Sequence, residues 1–446
     1  MPARTSLSGF PEWLPAERIV EQHILDQLRE TFELHGFASI ETRAVETLDD
    51  LLRKGETSKE VYLLERLQDQ LQERSDSKKE RTLGLHFDLT VPFARYVLDN
   101  AGELQFPFRR YQIQKVWRGE RPQDGRFREF TQADIDIVGN GTLAFHHEVE
   151  IPLVILEAFS KLPIPPVTVL VNNRKIVQGF CEGIGVENVE QALRSIDKLD
   201  KIGPEGVRAE MEEFDFQAEQ IDQLLKLAQI SGDDQSVLNE VRALGVSNEL
   251  LEEGLEELGA LLAAGEKRAP HRLRAELKIT RGLDYYTGTV YETELEGHKD
   301  LGSICSGGRY DSLASDGKRS YPGVGISIGV SRLVSRILAE GLATASRSVP
   351  TAVLVAVMNE ESREASQDVA ATLRARGIAT EVSPNSQKFG KQIRYADRRG
   401  IPFVWFIGED GAHEVKDIRS GEQQSADPQT WRPPAEDLKP TVKLGE

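Results

Sequence analysis

Residues Arg109–Gly139 read RRYQIQKVWRGERPQDGRFREFTQADIDIVG, a run with more polar chemistry inside apparent strands than a sheet normally tolerates. The pattern predicts a hairpin. One strand runs out through Arg118, a loop carries Glu120, Pro122, Asp124 and Gly125, and a return strand covers Arg128 to Val138. Side chains alternate along a strand, so Phe130, Gln132, Asp134 and Asp136 share one face, and Thr131, Ala133, Ile135 and Ile137 form the apolar other. On the outgoing strand Gln112, Gln114, Val116 and Arg118 likewise share a face. Two arrangements are open. Either this is an antiparallel sheet with one solvated side, or the two polar faces coincide and line a ligand surface with an arginine, two carboxylates and several amides. The loop favours the second, because Arg118, Glu120, Arg121, Arg126 and Arg128 crowd a charge pattern suited to a polyphosphate.

Other stretches bear on the choice. Pro15–His35 reads as a helix with Ile19, Val20, Ile24, Leu25, Leu28 and Phe32 on one stripe and Gly36 as its stop, followed by a strand from Phe37 to Glu41. Leu64–Glu80 is charged and weakly patterned, a helix or a mobile loop. LHFDLTVPFARYVLDN carries Asp88 and Thr90, which by themselves read as caps for a helix over Pro92–Leu98. A helix is expected over Leu143–Lys161 and a strand over Val167–Asn172, and acidic helices follow from Arg174 to about Leu262. LKITRGLDYYTGTVYETEL (277–295) and SICSGGRYD (303–311) are dense in Tyr, Gly and charge. In the first, Arg281 ends a β-type run beside a glycine, where backbone approaches a ligand closely, and Tyr285 and Tyr286 bury ring area while each hydroxyl seeks a partner. YPGVGISIGVSRLVSRIL (321–338) reads as a Gly-rich strand entering a helix, with glycines 323, 325 and 329 leaving a flat surface and Arg332 in the first turns.

WRGERPQDGRFREF resembles motif 2 of the class II aminoacyl-tRNA synthetases, and the FTQADIDIVG after it is similar to the histidyl branch. RGLDYY and SICSGGRYD resemble the two histidyl signatures, YPGVGISIGVSRLVSRIL resembles motif 3, and the Pro15–Glu41 helix and strand resemble motif 1. In motif 1 Arg43 stands near the place of the usual proline; the same helix also reads as one packing on its own domain. The resemblance implies an α+β catalytic core, a mainly antiparallel sheet flanked by helices, over 1–345. It implies a helical insertion over 174–265, either near the tRNA acceptor arm or a scaffold, and a C-terminal α/β anticodon-binding domain over 350–446.

It also implies an ATP-dependent ligase that activates L-histidine and charges tRNA(His), as a likewise implied homodimer. Carried over by motif, Arg118 and Arg281 are the catalytic cations at the α-phosphate of ATP, and both also contact histidine. Asp88, Leu89 and Thr90 meet the amino group, although His86 and Phe87 stand where an arginine often precedes. Gln132 meets the carboxylate end, and Asp136 with Tyr285 or Tyr286 brackets the imidazole. ATP is held by Arg118, Glu120, Arg126 and Arg332, the last stacking on adenine over the glycines, with Mg²⁺ bridging the outer phosphates near Glu120. A regulatory paralogue on the same fold generally lacks the C-terminal domain and an intact RGLDYY, and this chain has both; a tRNA-sensing module without catalysis sits poorly with intact Arg118, Arg281 and Arg332.

Composition sets outer limits. The 446 residues suit two or three domains. No stretch reaches the roughly 18 apolar residues of a membrane span and the N-terminus has no apolar leader core, which makes a cytoplasmic protein the expectation. Cys181 and Cys305 lie far apart without His or Cys at ligand spacing, so reduced, partly buried thiols are expected rather than a disulfide or zinc site. A net charge of −18 looks wrong for a nucleic-acid binder, yet net charge sets the long-range field and not a local patch. From Pro350 onward 13 basic residues face 15 acidic ones, −2, leaving −16 for the first 349. That tail alternates strand and helix, which predicts a mostly parallel α/β domain. On its second helix, Ser386–Arg399, Lys388, Lys391, Arg394 and Arg398 fall within about a 120° sector at 100° per residue, either a solvated face or a tRNA contact.

Overall fold

The computed structural model describes residues 7–52, 60–67, 82–123, 125–280, 282 and 285–445. Most of the charged stretch 64–80, and Asp124 and Arg281, lie outside the described residues. The chain divides into two compact units: the described residues of Met1–Pro11 with Leu25–Arg336, and those of Glu12–Ile24 with Ile337–Glu446. Helix Pro15–Leu34 is shared between them. It starts on a proline, whose missing N–H costs nothing there, and buries Val20, Ile24, Leu25, Leu28 and Phe32.

The first unit is built on a nine-stranded sheet. Its strands are β1 (Ala38–Ser39), β5 (Phe108–Trp117), β6 (Glu129–Val138), β7 (Val167–Asn173), β8 (Ser231–Gly232), β9 (Leu273–Glu276), β10 (Thr289–Leu295), β11 (Cys305–Tyr310) and β12 (Gly323–Gly329), while β2 (Val45–Thr47), β3 (Leu63–Leu64) and β4 (Leu83–Leu85) make a small separate sheet. The order is β1-β5-β6-β12-β11-β10-β7-β9-β8. The six central strands, β5 to β7 in that order, are all antiparallel; β1 on β5 and β9 on β7 are parallel. Strand β1 is two residues long where five were expected; its register with β5 covers Ala38 and Ser39, and the Ile40 N–H adds a bond to the Tyr111 carbonyl. Helix His146–Ser160 packs its apolar side on the sheet with Ile151, Val154, Ile155 and Phe159 buried. Helices from Arg174 to Arg268 follow β7, opened by Asn173 accepting from the Lys175 N–H.

The register of the β5–β6 hairpin settles the question the sequence left open. Gln112 lies opposite Asp134, Gln114 opposite Gln132 and Val116 opposite Phe130. Residues directly opposite share a face, so the two polar faces coincide. That face is not solvated: Gln112, Gln132, Asp134 and Asp136 are all buried.

In the second unit β15 (Thr380–Val382), β14 (Val353–Val355) and β16 (Phe403–Ile407) are parallel, and β17 (His413–Asp417) and β18 (Gln423–Ser425) add antiparallel, while β13 (Ala343–Ala345) pairs with β19 (Val442–Leu444). A parallel sheet needs both faces covered. Helix Arg363–Ala375 covers one through Val369, Ala370 and Leu373, against Val353, Val355 and Trp405. Helix Phe389–Arg399 covers the other through Ala396 and Ile393, against Leu354 and Val404.

Candidate active site

Arg118 follows the last residue of β5, and its backbone N–H still bonds the Arg128 carbonyl at 2.8 Å, extending the hairpin to the cavity mouth. Its Nε donates to the Phe87 carbonyl at 2.9 Å, its guanidinium lies 5.1 Å from the Phe130 ring centroid, and Glu120 is 3.8 Å away. Residues 86–87 are tied to the end of β5 as well: Trp117 donates its N–H to the His86 carbonyl, and His86 Nε2 donates to the Lys115 carbonyl at 2.7 Å. That bond fixes the tautomer, and burial pushes the His86 pKa down. Arg118 is therefore oriented by the segment that leads into Asp88–Thr90.

A cavity of about 360 Å³ opens beside Arg118. Among the residues expected from sequence, it gathers Arg118, Glu120, Arg126, Gln132, Tyr285, Tyr286 and Arg332. Glu292, Ser303, Cys305 and Ser327 complete much of the wall. Arg332, in helix Val330–Ala339, donates to the Ser303 carbonyl at 2.7 Å. A Cβ on Gly125 in the hairpin loop would stand 3.2 Å from the Arg332 side chain, so loop and helix meet over the cavity. Three arginines face two carboxylates there, a wall whose net positive charge suits a polyphosphate. Tyr285 and Tyr286 lie with ring centroids 4.0 Å apart, on a turn where both N–H groups bond the Gly282 carbonyl. Gly282 has φ +73°, and a Cβ on it would fall 2.6 Å from the Tyr286 ring, so a side chain is excluded twice over. The Tyr285 phenol is pushed up by burial, and the negative charges of Asp88, Asp136 and Asp134 act on it in the same direction.

Asp88, Leu89, Thr90 and Asp136 do not line this cavity. Asp88 Oδ1 accepts from the Val91 N–H at 3.1 Å, so the capping expected of it occurs, while Thr90 is the first residue of helix Thr90–Asn100. Leu89 is fully buried. Asp136 sits behind the wall, its Oδ1 accepting from the Tyr310 hydroxyl at 2.7 Å and its Oδ2 2.6 Å from Arg110. The flat glycine surface expected from residues 323, 325 and 329 is corrected: a Cβ on Gly323 would strike the Tyr310 ring at 2.5 Å, and one on Gly325 would lie 2.0 Å from Asp136 Oδ1. These two glycines make room for protein side chains, and of the three only Gly329 lines the cavity.

Sequence reasoning passed over four residues near the site. Arg110 shares the parity of Gln112 and Gln114 and is fully buried, a signal present in the quoted stretch. Tyr310 ends β11 inside a signature whose tyrosine had no role assigned. Asp134 is 2 % exposed, its Oδ1 has no hydrogen-bond partner among the described residues, and burial raises its pKa to about 7. Glu60 has its pKa raised by burial and by the neighbouring Glu120; nothing in its local sequence marks it. Glu60 and the cavity-lining Glu120 are neighbouring carboxylates, the kind of group that could take part in holding a hard divalent cation together with phosphates. Among the described residues no group of three or more His, Cys, Asp or Glu is placed to hold a metal alone. Both cysteines are buried and free of disulfides, more deeply than the partial burial expected, and burial raises both pKa values, that of Cys181 to about 12. In the second unit Lys391, Arg394 and Arg398 line a separate concavity of about 560 Å³ with Asn385, Gln387 and Tyr395; Lys388 is not part of its wall.

A central antiparallel sheet that places one arginine at the end of a hairpin strand and another in the first turns of the helix after β12, around a polar cavity, is the catalytic core of a class II aminoacyl-tRNA synthetase. A family model described as histidyl-tRNA synthetase matches residues 9–333, and one described as anticodon binding domain matches 352–430. The histidine–tRNA ligase of Micrococcus luteus is 62 % identical over 99 % of each chain, and that of Cutibacterium acnes 58 % over 98 % of each. The crystal structure of histidyl-tRNA synthetase from Nostoc sp. PCC 7120 superposes with a TM-score of 0.83 at 36 % identity, covering 96 % of this chain and 97 % of that one. The chain belongs to the histidyl-tRNA synthetase family and is an aminoacyl-tRNA ligase that uses ATP to join histidine to tRNA(His).

Proposed function

We propose that the cavity beside Arg118 is where histidine is adenylated. In the first step a histidine carboxylate oxygen attacks the α-phosphorus of ATP, the bond to the β-phosphate breaks, and pyrophosphate leaves. Such a reaction needs positioning and charge stabilisation more than covalent help. Arg118 and Arg281 receive the charge that develops on the α-phosphate. Arg126 and Arg332 hold the outer phosphates and the nucleotide. Glu120, with Glu60 beside it, would hold Mg²⁺, which would supply neutralisation of the phosphate charge. Gln132 holds the carboxylate end, Asp88 and Thr90 with the Leu89 backbone the amino group, and Asp136 with Tyr285 and Tyr286 the imidazole. In the second step the 3′-hydroxyl of the terminal adenosine attacks the acyl carbon and AMP leaves. The observation that supports this reading is the convergence of Arg118, Arg126, Gln132, Tyr285, Tyr286 and Arg332 on one cavity.

The finer assignments are part of the same proposal: a catalytic core over 1–345 with an inserted helical module over 174–265, an anticodon-binding domain over 350–446 whose face of Lys388, Lys391, Arg394 and Arg398 meets tRNA, a homodimer, and a cytoplasmic location. No helix among the described residues is long and apolar enough to cross a membrane.

Histidine-dependent exchange of pyrophosphate into ATP tests the site. Arg332→Ala should raise the KM for ATP about tenfold or more and leave that for histidine near its wild-type value, and Gln132→Ala should do the reverse. Equal effects of both variants on both substrates would separate these residues from the roles given.

A further inference from the structure

Among the described residues Asp136 meets Arg110, Tyr310 and the backbone of β12. Arg110 stands opposite it across the β5–β6 register, fully buried, with its guanidinium 2.6 Å from Oδ2 and 4.2 Å from the centroid of the Phe93 ring. Tyr310, at the end of β11 and 2 % exposed, donates its hydroxyl to Oδ1 at 2.7 Å. On the third side is the β12 backbone, where a Cβ on Gly325 would lie 2.0 Å from Oδ1, so the carboxylate takes the space that a side chain there would fill. A buried ion pair is seldom worth more to stability than apolar residues of the same size, so this arrangement calls for another explanation. The surrounding charges supply one. Among the described residues Arg110 is the cation that draws the Asp134 pKa down, against the neighbouring carboxylates Asp136 and Asp88, and the negative charges of Asp88, Asp136 and Asp134 all act on the Tyr285 phenol.

We propose that Arg110 and Tyr310 are positioning residues for histidine selection: together they fix the Asp136 carboxylate in one rotamer and keep it an acceptor, so that it takes a ring N–H of the imidazole. This rests on Asp136 being the imidazole partner. Asp136 accepts the Tyr310 hydroxyl at Oδ1 and meets Arg110 at Oδ2 as an ion pair in which the guanidinium nitrogens make no hydrogen bond among the described residues; each carboxylate oxygen has two lone-pair sites, enough for a substrate N–H as well. A protonated Asp136 would present an O–H to the same ring atom, and a mobile one would lose the direction on which discrimination depends. A site that pairs a substrate N–H rejects analogues lacking it far more strongly than an apolar pocket does. Arg110 and Tyr310 touch no substrate themselves; they act through Asp136.

Pyrophosphate exchange by the full-length protein, with KM measured for both substrates, tests this. Tyr310→Phe keeps the ring over Gly323 and removes only the hydroxyl. It should raise the histidine KM about 10- to 100-fold, as loss of a hydrogen bond to a charged group does, with the ATP KM within about twofold. Arg110→Met should do more, and Arg110→Lys, which keeps the charge without the planar fork, should fall between. In an Asp136→Asn background Tyr310→Phe should add almost nothing, because its effect passes through Asp136. An unchanged histidine KM in Asp136→Asn alone would remove Asp136 from the pocket and the underlying reading with it. A raised KM in Asp136→Asn together with an unchanged one in Tyr310→Phe would overturn the positioning role and leave the reading intact. A parallel rise for both substrates in Tyr310→Phe, with a lowered Tm, would equally overturn it, showing the hydroxyl to be structural. If Arg110→Met does not fold, Tyr310→Phe decides.

Discussion

Replacing Asp134 by Asn should change how stability depends on pH. Asp134 is buried at the centre of β6, and its pKa rises from 3.8 to about 7, first because burial penalises the charged form and further because Asp136 is close, against the opposing pull of Arg110. The folded protein therefore holds a proton there that the unfolded chain releases above pH 3.8. Stability falls with rising pH wherever the folded state binds more protons, so this group weakens the fold progressively from about pH 4 to about pH 8, most steeply below pH 7, and has no further effect above that. Each pH unit in that window corresponds to about 1.36 kcal/mol. Between pH 5.5 and 8.5, a range that avoids the isoelectric region near 5.1, the loss is about 2 kcal/mol, about four fifths of it below pH 7. Asn keeps the shape and has no charge to bury. Urea unfolding of the ligand-free protein, followed through the transition of the first unit at pH 5.5, 7 and 8.5, should show the variant gaining about 2 kcal/mol on wild type across the series. If the two proteins kept a constant difference at all three pH values, Asp134 would be ionised throughout and the account of this buried layer would be wrong.

Other consequences follow from the same reading. Arg281→Ala should cut adenylate formation by about 10² to 10³, the effect of losing one preorganised donor, while transfer from preformed histidyl-adenylate suffers less; equal slowing of both steps would deny it a transition-state role. Glu120→Gln should raise the Mg²⁺ concentration needed for half-maximal exchange by about tenfold, and an unchanged Mg²⁺ titration would exclude Glu120 as its ligand. Neutralising Lys388, Lys391, Arg394 and Arg398 should weaken tRNA binding and flatten its salt dependence by counterion release, leaving exchange intact; an unaltered salt slope would remove that face from the interface. A chain ended near Val349 should still activate histidine and lose most charging, and full charging would show that the tail does not read tRNA.

What the sequence discloses and what it hides divide along physical lines. The hairpin, its polar parity and the Gly-rich strand entering the Arg332 helix are local patterns of period two or 3.6, and the structure reproduces them within a residue or two. In the second unit both helices and the parallel β15-β14-β16 core follow from the same alternation, except that the second helix begins at Phe389 and not Ser386, which leaves Lys388 as its non-helical N-cap residue and off the face shared by Lys391, Arg394 and Arg398. Which polar faces meet is not local; it depends on register, which places Gln112 against Asp134. Burial of that face depends on what covers it. The glycines of β12 show the limit most clearly, for a flat strand reads alike whether the space above it takes adenine or the Tyr310 ring and the Asp136 carboxylate. Glu60 next to Glu120 is a contact across 60 residues, beyond any short-range pattern. Arg110, by contrast, was legible, since it shares a face with Gln112 and Gln114; its partner Asp136 needed the register.

The central proposal is that the histidine side chain is read by Asp136, which stands behind the wall of the cavity, and the histidine KM of Asp136→Ala in pyrophosphate exchange tests it most directly. A large rise, with ATP still bound at near wild-type affinity, is the predicted result, because the ring N–H is left without its acceptor. An unchanged histidine KM in that variant would contradict it.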